Sequence, residues 1–180
     1  MGVNWVAAGW GVAEATLFFF VPDIWLSIAG RKKLRVGWVA CLYCLTGALI
    51  GGSVMYVWGH CDLAGVQRMV EKVPAVSLST IERVNEDLTH RGVWAIFLGP
   101  ITGTPYKVYA AQAAAAGIGL WLFLLISIPA RMIRFVLVTA ACHYVLKFIG
   151  CSGRDKLSLS LVILFWIIFY IFYFNAMAGR

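Results

Sequence analysis

Residues 1–30, MGVNWVAAGWGVAEATLFFFVPDIWLSIAG, form an apolar stretch with only two charged side chains, Glu14 and Asp23. Pro22 stands directly before the second acid and interrupts the run. A carboxylate is costly at membrane depth, and one that is retained there usually marks a functional site. The stretch therefore predicts a membrane-embedded segment whose helix breaks beside an acidic group.

The composition of the whole chain indicates a membrane location. Its 180 residues are 62% hydrophobic and only 13% charged, which is far outside the range of soluble domains. The net charge of +7 suggests contact with anionic lipid head groups rather than with nucleic acid. We therefore expect an integral membrane protein whose partners are membrane lipids and not nucleic acid.

Three segments are predicted to cross the bilayer as helices, namely residues 36–59, 117–147 and 157–176. The first and the last are predicted from uncharged runs of 23 residues, Val36 to Trp58 and Leu157 to Gly179. Each run is about 34 Å long as a helix, against a hydrocarbon core of about 30 Å. Residues 60–91 are more polar, and their spaced apolar side chains predict interfacial amphipathic helices. The predicted fold class is an all-α polytopic membrane protein with a single membrane domain.

Residues 1–35 are predicted to form a re-entrant hairpin. Only seven residues separate Asp23 from Arg31, the first of four closely spaced cations, and as a helix they rise about 10 Å, which is too little to cross. The alternative is an ordinary span from Val3 to Phe20, which places Asp23 at the far interface. Glu14 stays buried in both arrangements.

Residues 92–116 are predicted to form a second re-entrant hairpin, broken at Pro100 and Pro105. The alternative is a single kinked span. A hairpin places seven cations at one face and four at the other, which agrees with the positive-inside rule, whereas a single span reverses those numbers. The seven are Arg31, Lys32, Lys33, Arg35, Lys147, Arg154 and Lys156, and the four are Arg68, Lys72, Arg83 and Arg91. The distribution of charge therefore favours the hairpin.

With this topology the two hairpins enter from opposite faces, as in transporters built from inverted repeats whose broken helices form a site near the midplane. The intramembrane charges are two acids and three bases: Glu14, Asp23, Lys107, Arg131 and Arg134. Buried ions must be paired, so full pairing leaves one positive charge, which suits a phosphate group. An acid that changes protonation when its partner leaves could couple such binding to protons. Static salt bridges are the alternative, and Arg134 could instead extend to an interface.

The other polar side chains do not indicate an enzyme. The five cysteines are scattered and no histidine lies in a metal-ligand spacing, so neither a metal nor another cofactor is predicted. The chain also lacks the motifs that place a nucleophile or a metal-bound water in hydrolases. The aromatic C-terminal helix is a candidate surface for lipid, for a second copy of the chain or for a partner subunit.

One set of motifs resembles a known family. The motifs are Glu14 with Pro22-Asp23, then Gly30, Gly47 to Tyr56 with Gly59, Arg91-Gly-x-Trp94, Thr104-Pro-Tyr-Lys107-Val, and Arg131-x-x-Arg134-Phe135. This pattern resembles the DedA superfamily, also called the VTT or SNARE-associated domain family, and within it the YqaA-like branch. The resemblance covers Trp10 to about Leu146 and leaves out the last helix.

The resemblance implies a protein of the bacterial cytoplasmic membrane with two opposed re-entrant hairpins that moves lipids across the bilayer. Cargoes proposed in the superfamily are undecaprenyl phosphate and phospholipids, with proton coupling for some members. By position, the hairpin acids fall on Glu14 and Asp23, and the basic residue of the second hairpin falls on Lys107. An arginine is often found where this chain has Gly99, and Arg131 or Arg134 could supply that charge.

We therefore expect a lipid flippase or scramblase. In this hypothesis Lys107, with Arg131 or Arg134, holds the lipid phosphate, while Glu14 and Asp23 gate the site by protonation. An ion or small-solute secondary transporter, and a non-transporting membrane scaffold or assembly factor, are the alternatives.

Overall fold

A computed structural model of the protein describes residues 2–74, 76–151 and 154–178, and within these ranges the only regular elements are helices. The helices are α1 (Gly2–Ala15), α2 (Asp23–Gly30), α3 (Leu34–Cys61), α4 (Leu63–Glu71), α5 (Leu78–Arg91), α6 (Val93–Thr102), α7 (Tyr106–Ala113), α8 (Leu120–Phe148) and α9 (Asp155–Ala178). In the described part of the chain, α3, α8 and α9 are long and apolar enough to cross a membrane. The predicted all-helical fold is therefore confirmed, and three of its helices have the length and apolar composition that spanning requires.

The first broken segment contains two helices separated by residues 16–22. The helix α1 ends at Ala15, and the Thr16 hydroxyl that follows donates to the carbonyl oxygens of Val12 and Ala13, at 3.0 and 2.9 Å. The Phe18 amide also donates to the Ala13 carbonyl, at 2.9 Å. A continuous helix from Val3 to Phe20 is therefore not formed, and the 14 residues of α1 rise only about 21 Å.

Both short helices begin directly after a proline. Pro22 is the N-cap of α2 and Pro105 is the N-cap of α7, and each helix has eight residues. Pro100 does not break the second segment, since α6 continues through this position to Thr102. The break lies at Gly103, whose φ of 85° is left-handed and ends the helix.

Glycines bring α1 and α3 into close contact. Gly47 lies against the Ala8 carbonyl and Gly51 against the Val12 carbonyl, so a Cβ at either glycine would collide with backbone. The spacing of these glycines predicts tight helix packing, and the structure has it. Ala8 contacts Gly47, and Val12, one turn later, contacts Gly51, one turn later on α3. The two helices therefore run in the same direction.

The same helix also supports the second broken segment. Tyr106, at the start of α7, lies against Gly52, and the Ala111 carbonyl lies against Gly59. Gly51, which faces the end of α1, is adjacent in sequence to Gly52, which faces the start of α7. The two breaks therefore meet on neighbouring residues of α3.

Two contacts show which loops share an end of the bundle. Lys32, before α3, forms an ion pair with Asp155, at the start of α9. His143 Nδ1, near the end of α8, lies 3.0 Å from the Gly30 carbonyl oxygen. The cations of residues 31–35 and 147–156 therefore lie at one end, whereas α4 and α5 follow the opposite end of α3.

The polar segment between the two halves forms two amphipathic helices. Val66 and Val70 of α4 are buried, as are Ile81, Val84 and Leu88 of α5. Ser77 caps α5, because its hydroxyl accepts a hydrogen bond from the Thr80 amide at 3.3 Å. These helices pack their apolar faces against the bundle and leave their charged faces exposed.

The last helix packs onto the first break. The Val21 amide donates to the Tyr170 hydroxyl at 3.0 Å, and the ring of Tyr170 contacts Phe19 and Phe20. The backbone of α9 packs on α2 rather than on α8, although α8 precedes it in the chain. Side chains of α8 and α9 nevertheless meet in one apolar cluster that contains Leu146, Val162 and Trp166.

Candidate functional site

The two breaks are joined by one lysine. Lys107 Nζ donates to the Phe18 carbonyl oxygen at 2.6 Å, so a residue of the second broken segment reaches into the first. The lysine is 3% exposed, which means that its ammonium group lies inside the protein. The candidate site is therefore shared by both halves of the chain.

The deepest ion pair joins Glu14 and Arg131. The two terminal guanidinium nitrogens of Arg131 donate to Glu14: Nη1 to Oε1 at 3.2 Å, and Nη2 to Oε2. The arginine side chain is 1% exposed and the glutamate side chain 6%. Rings of Tyr106 and Phe135 lie 4.8 and 4.9 Å from the guanidinium carbon. This pair is enclosed, and its fixed geometry is that of a bidentate salt bridge.

The second ion pair joins Asp23 and Arg134. Arg134 Nε and Nη2 both donate to Asp23 Oδ2, at 3.0 and 2.5 Å. Asp23 Oδ1 is buried and has no hydrogen-bond partner in the described part of the chain. The arginine side chain is 29% exposed. This pair is therefore more open than the first and leaves one acceptor unsatisfied.

Lys107 is the cation that remains. Among the described residues, Lys107 and Arg131 are the two buried cations, and no carboxylate lies within 4.0 Å of the lysine nitrogen. Its ammonium group has three donors, and the Phe18 carbonyl occupies one. The structure thus has the excess of one positive charge that the sequence predicts from two acids and three bases.

Gly99, where an arginine is often found in the family that the sequence resembles, has no room for a side chain. A Cβ at this position would collide with the ring of Tyr109. The Tyr109 hydroxyl donates to Asp87 Oδ2 at 3.3 Å and so connects α7 with α5. In this chain a tyrosine ring, and not a cation, occupies the space beside Gly99.

A cavity of about 760 Å³ adjoins these charged side chains. Glu14, Asp23, Lys107 and Arg134 line one part of it. The rest is apolar, with α8 residues on one side and α9 residues on the other. Its volume is typical of ligand sites, which run from about 300 to 1,000 Å³.

The cavity extends along the bundle. Ile149, just past the end of α8, lines one end of it, and Val73 and Val76, in the connection between α4 and α5, line another part. Val73 and Val76 also belong to the main apolar core together with Ala15 and Tyr106. The cavity therefore has charged side chains in one part of its wall and apolar side chains in the rest.

The sequence did not identify the α9 wall as part of the site. Its members are Leu161, Val162, Phe165, Trp166, Phe169, Tyr170 and Tyr173. They recur as adjacent positions every four residues, which places them on one face of a helix, and this is a signal that the sequence contains. However, α9 is apolar on all sides, so its cavity-lining face and its lipid-facing side have the same composition. Composition alone therefore does not identify the lining face.

No protein-family model matches this sequence, and neither a curated protein nor a solved structure matches it. The class that the fold itself defines is an all-helical protein with three helices able to span a membrane.

Proposed function

We propose that the protein moves a phosphate-bearing lipid across the cytoplasmic membrane of a bacterium, as a flippase or scramblase of the DedA superfamily. The lipid phosphate binds Lys107 and Arg134 in the cavity, while Arg131 holds Glu14. The observation that carries the proposal is the buried Lys107 ammonium group, which faces a large cavity without a carboxylate partner. A buried cation of this kind suits an anion, and the apolar walls suit hydrocarbon.

The proposal includes two re-entrant hairpins, α1 with α2 and α6 with α7. In support, α1 and α3 run in the same direction, and the end of α2 at Gly30 lies against Gly37 near the start of α3. The chain thus goes inward in α1 and returns in α2. At the opposite end, α7 runs along α3 from Gly52 toward Gly59, back to the end from which α6 started.

The two acids have different roles in this mechanism. Glu14 is held by both nitrogens of an enclosed arginine, which supports a locking role. Asp23 keeps a free oxygen and pairs with a partly exposed arginine, so it is the acid that releases its partner when the phosphate arrives. Protonation of Asp23 as Arg134 turns to the phosphate would couple lipid movement to protons.

The test is transbilayer movement of a fluorescent phospholipid and of a polyprenyl phosphate in proteoliposomes, with and without a pH gradient. We expect Lys107→Met to abolish movement and Lys107→Arg to retain part of it, because arginine keeps the charge. Lys147→Met is the matched control, since Lys147 is exposed and outside the cavity. Reconstitution efficiency is measured for each variant, so that loss of movement is separated from loss of insertion.

Unchanged movement by Lys107→Met would contradict the site assignment. Movement of small ions or solutes that is independent of lipid composition would favour a solute transporter. If well-inserted wild-type protein moves neither lipid, and Lys107→Met preserves its role in cells, a membrane scaffold is the better description.

A further inference from the structure

Three polar side chains connect the cavity with the exposed face of α5. Thr104 lines the cavity, Tyr109 of α7 is 1% exposed, and the Asp87 side chain of α5 is 25% exposed. The Tyr109 hydroxyl donates to Asp87 Oδ2 at 3.3 Å, and the Thr104 hydroxyl is a hydrogen-bond donor to the Tyr109 oxygen. The transport mechanism proposed above uses none of these three side chains.

We propose that Thr104, Tyr109 and Asp87 form a proton relay between the cavity and the aqueous phase at the α5 end of the bundle. The inference rests on the proposed function and deepens it, because that function couples transport to protonation of Asp23 without assigning a route for the proton. Asp23 and Thr104 line the same cavity. Its volume of about 760 Å³ has room for water molecules that carry a proton between them.

The hydrogen bonds are directed from the cavity toward solvent. A carboxylate only accepts hydrogen bonds, so Tyr109 is the donor to Asp87. Water in the cavity gives a proton to Thr104 Oγ1, the Thr104 proton passes to Tyr109 Oη, and the Tyr109 proton passes to Asp87 Oδ2. Three O–H bonds break and three form, after which the Asp87 carboxylic acid releases its proton to solvent. Transfer in the opposite direction uses the same atoms once both hydroxyl groups have turned.

Gly99 gives the tyrosine ring the room to lie on this route. A Cβ at Gly99 would collide with the ring of Tyr109, so this glycine allows the ring to pass α6 on its way to α5. The two helices also have a second polar connection, because Gln112 Nε2 donates to the Ile81 carbonyl oxygen at 3.1 Å. Contact between α5 and α7 therefore does not depend on Asp87 alone.

The two oxygens of Asp87 have different partners. Arg91, one turn along α5 and 56% exposed, places its Nη1 atom 3.6 Å from Asp87 Oδ1. Tyr109, from α7, contacts Oδ2. Among the described residues these are the two titratable groups that face the carboxylate. Oδ1 is thus on the solvent side of the relay, and Oδ2 is on the protein side.

The experiment measures proton flux into proteoliposomes that contain the full-length protein and phospholipid, with a pH-sensitive dye inside and a potassium diffusion potential as the driving force. We expect Tyr109→Phe to lower the flux about tenfold or more, because it keeps the ring beside Gly99 and removes the hydroxyl that carries the proton. Tyr144→Phe is the matched control, since Tyr144 is 57% exposed and does not line the cavity, and it should change nothing.

Asp87→Asn distinguishes a relay from a structural hydrogen bond. The asparagine oxygen still accepts from Tyr109, but the amide does not take up a proton at neutral pH. We therefore expect the flux to fall as in Tyr109→Phe while the melting temperature stays at the wild-type value. Asp87→Glu keeps a carboxylate and should restore part of the flux, and Glu86→Gln, at an exposed neighbouring position, is the control. Wild-type flux in well-inserted Asp87→Asn would overturn the relay.

Lipid movement in the same vesicles separates this inference from the proposed function. Wild-type protein that moves lipid but carries no protons would overturn the relay and leave lipid transport in place. Proton flux that depends on Tyr109 and Asp87, in a protein that moves no lipid, would support the relay and contradict lipid transport. Absence of both activities would contradict both proposals.

Discussion

Two ion pairs on the same helix differ in what surrounds them. Arg131 and Arg134 are one turn apart on α8, and each binds an acid of the first broken segment. Arg131 and Glu14 are almost fully buried and use both oxygens of the carboxylate, although Glu14 also lines the cavity, whereas Arg134 is partly exposed and Asp23 keeps one oxygen without a partner in the described part of the chain. The same kind of ion pair is thus closed to solvent in one place and partly exposed in the other.

The difference shows that a charged side chain can be buried in the protein and still belong to an ion pair that reaches the cavity, where a ligand could contact it. Both acids are buried in the protein, but only the Asp23 pair has a partner that reaches the cavity with a substantial exposed fraction. In the Glu14–Arg131 pair both carboxylate oxygens are bonded, and the arginine donor left without a partner among the described residues, Nε, is buried in a side chain that does not line the cavity. We therefore propose that the Glu14–Arg131 pair stays intact during transport, and that Arg134 leaves Asp23 to bind the ligand.

The largest effect is expected when one member of the enclosed pair is removed. Glu14→Leu should lower the free energy of unfolding by about 3–5 kcal/mol, because it leaves the Arg131 charge buried without a partner. The double variant Glu14→Leu with Arg131→Met should recover most of that loss. Thermal unfolding in detergent, followed by tryptophan fluorescence, measures both changes.

The double variant also tests the lock directly. Because it removes both charges of the Glu14–Arg131 pair and leaves the Asp23–Arg134 pair and Lys107 in place, it should still move lipid in proteoliposomes. A double variant that is as stable as the wild type but moves no lipid would show that Glu14 takes part in transport.

A smaller effect on stability, and a larger one on transport, is expected at the cavity pair. Asp23→Asn should cost about 1–2 kcal/mol, because solvent reaches Arg134 and the amide can still accept from it. Lipid movement and its dependence on a pH gradient should be lost together. If movement persists and still responds to the gradient, Asp23 is not the proton-coupling group.

The smallest effect is expected at the exposed pair of Lys32 and Asp155. These side chains are 46% and 62% exposed, so Lys32→Ala should change the free energy of unfolding by less than about 1 kcal/mol. The effect should shrink further at high salt. A loss as large as that of Glu14→Leu would mean that this contact, and not the enclosed pair, holds α9 to the bundle.

The sequence was sufficient to find the charged residues of the candidate site. Glu14, Asp23, Lys107, Arg131 and Arg134 stand out because each is an isolated charge in an apolar stretch. Their partners could not be predicted, because Glu14 and Arg131 are 117 positions apart and the choice of partner depends on how α1, α2 and α8 pack. Two acids and two arginines admit either pairing until that packing is known.

The helix ends were predicted less well than the helices. Hydropathy indicates which residues are buried, but not which hydrogen bonds they form. The end of α1 at Ala15, where the Thr16 hydroxyl bonds back to the helix, was therefore not predicted. The end of α6 had a usable signal. Gly103 followed two positions later by Pro105 is the pattern of a helix C-terminus, and it marks the break better than Pro100 does.

The contacts of Gly51 and Gly52 make α3 a mechanical link between the two halves. One glycine faces the end of α1, and the next, about 100° further around the helix, faces the start of α7. A side chain added at Gly51 would meet the backbone of α1, and one added at Gly52 would meet the ring of Tyr106. The absence of side chains at these two neighbouring positions therefore sets how closely both broken segments can approach the same helix.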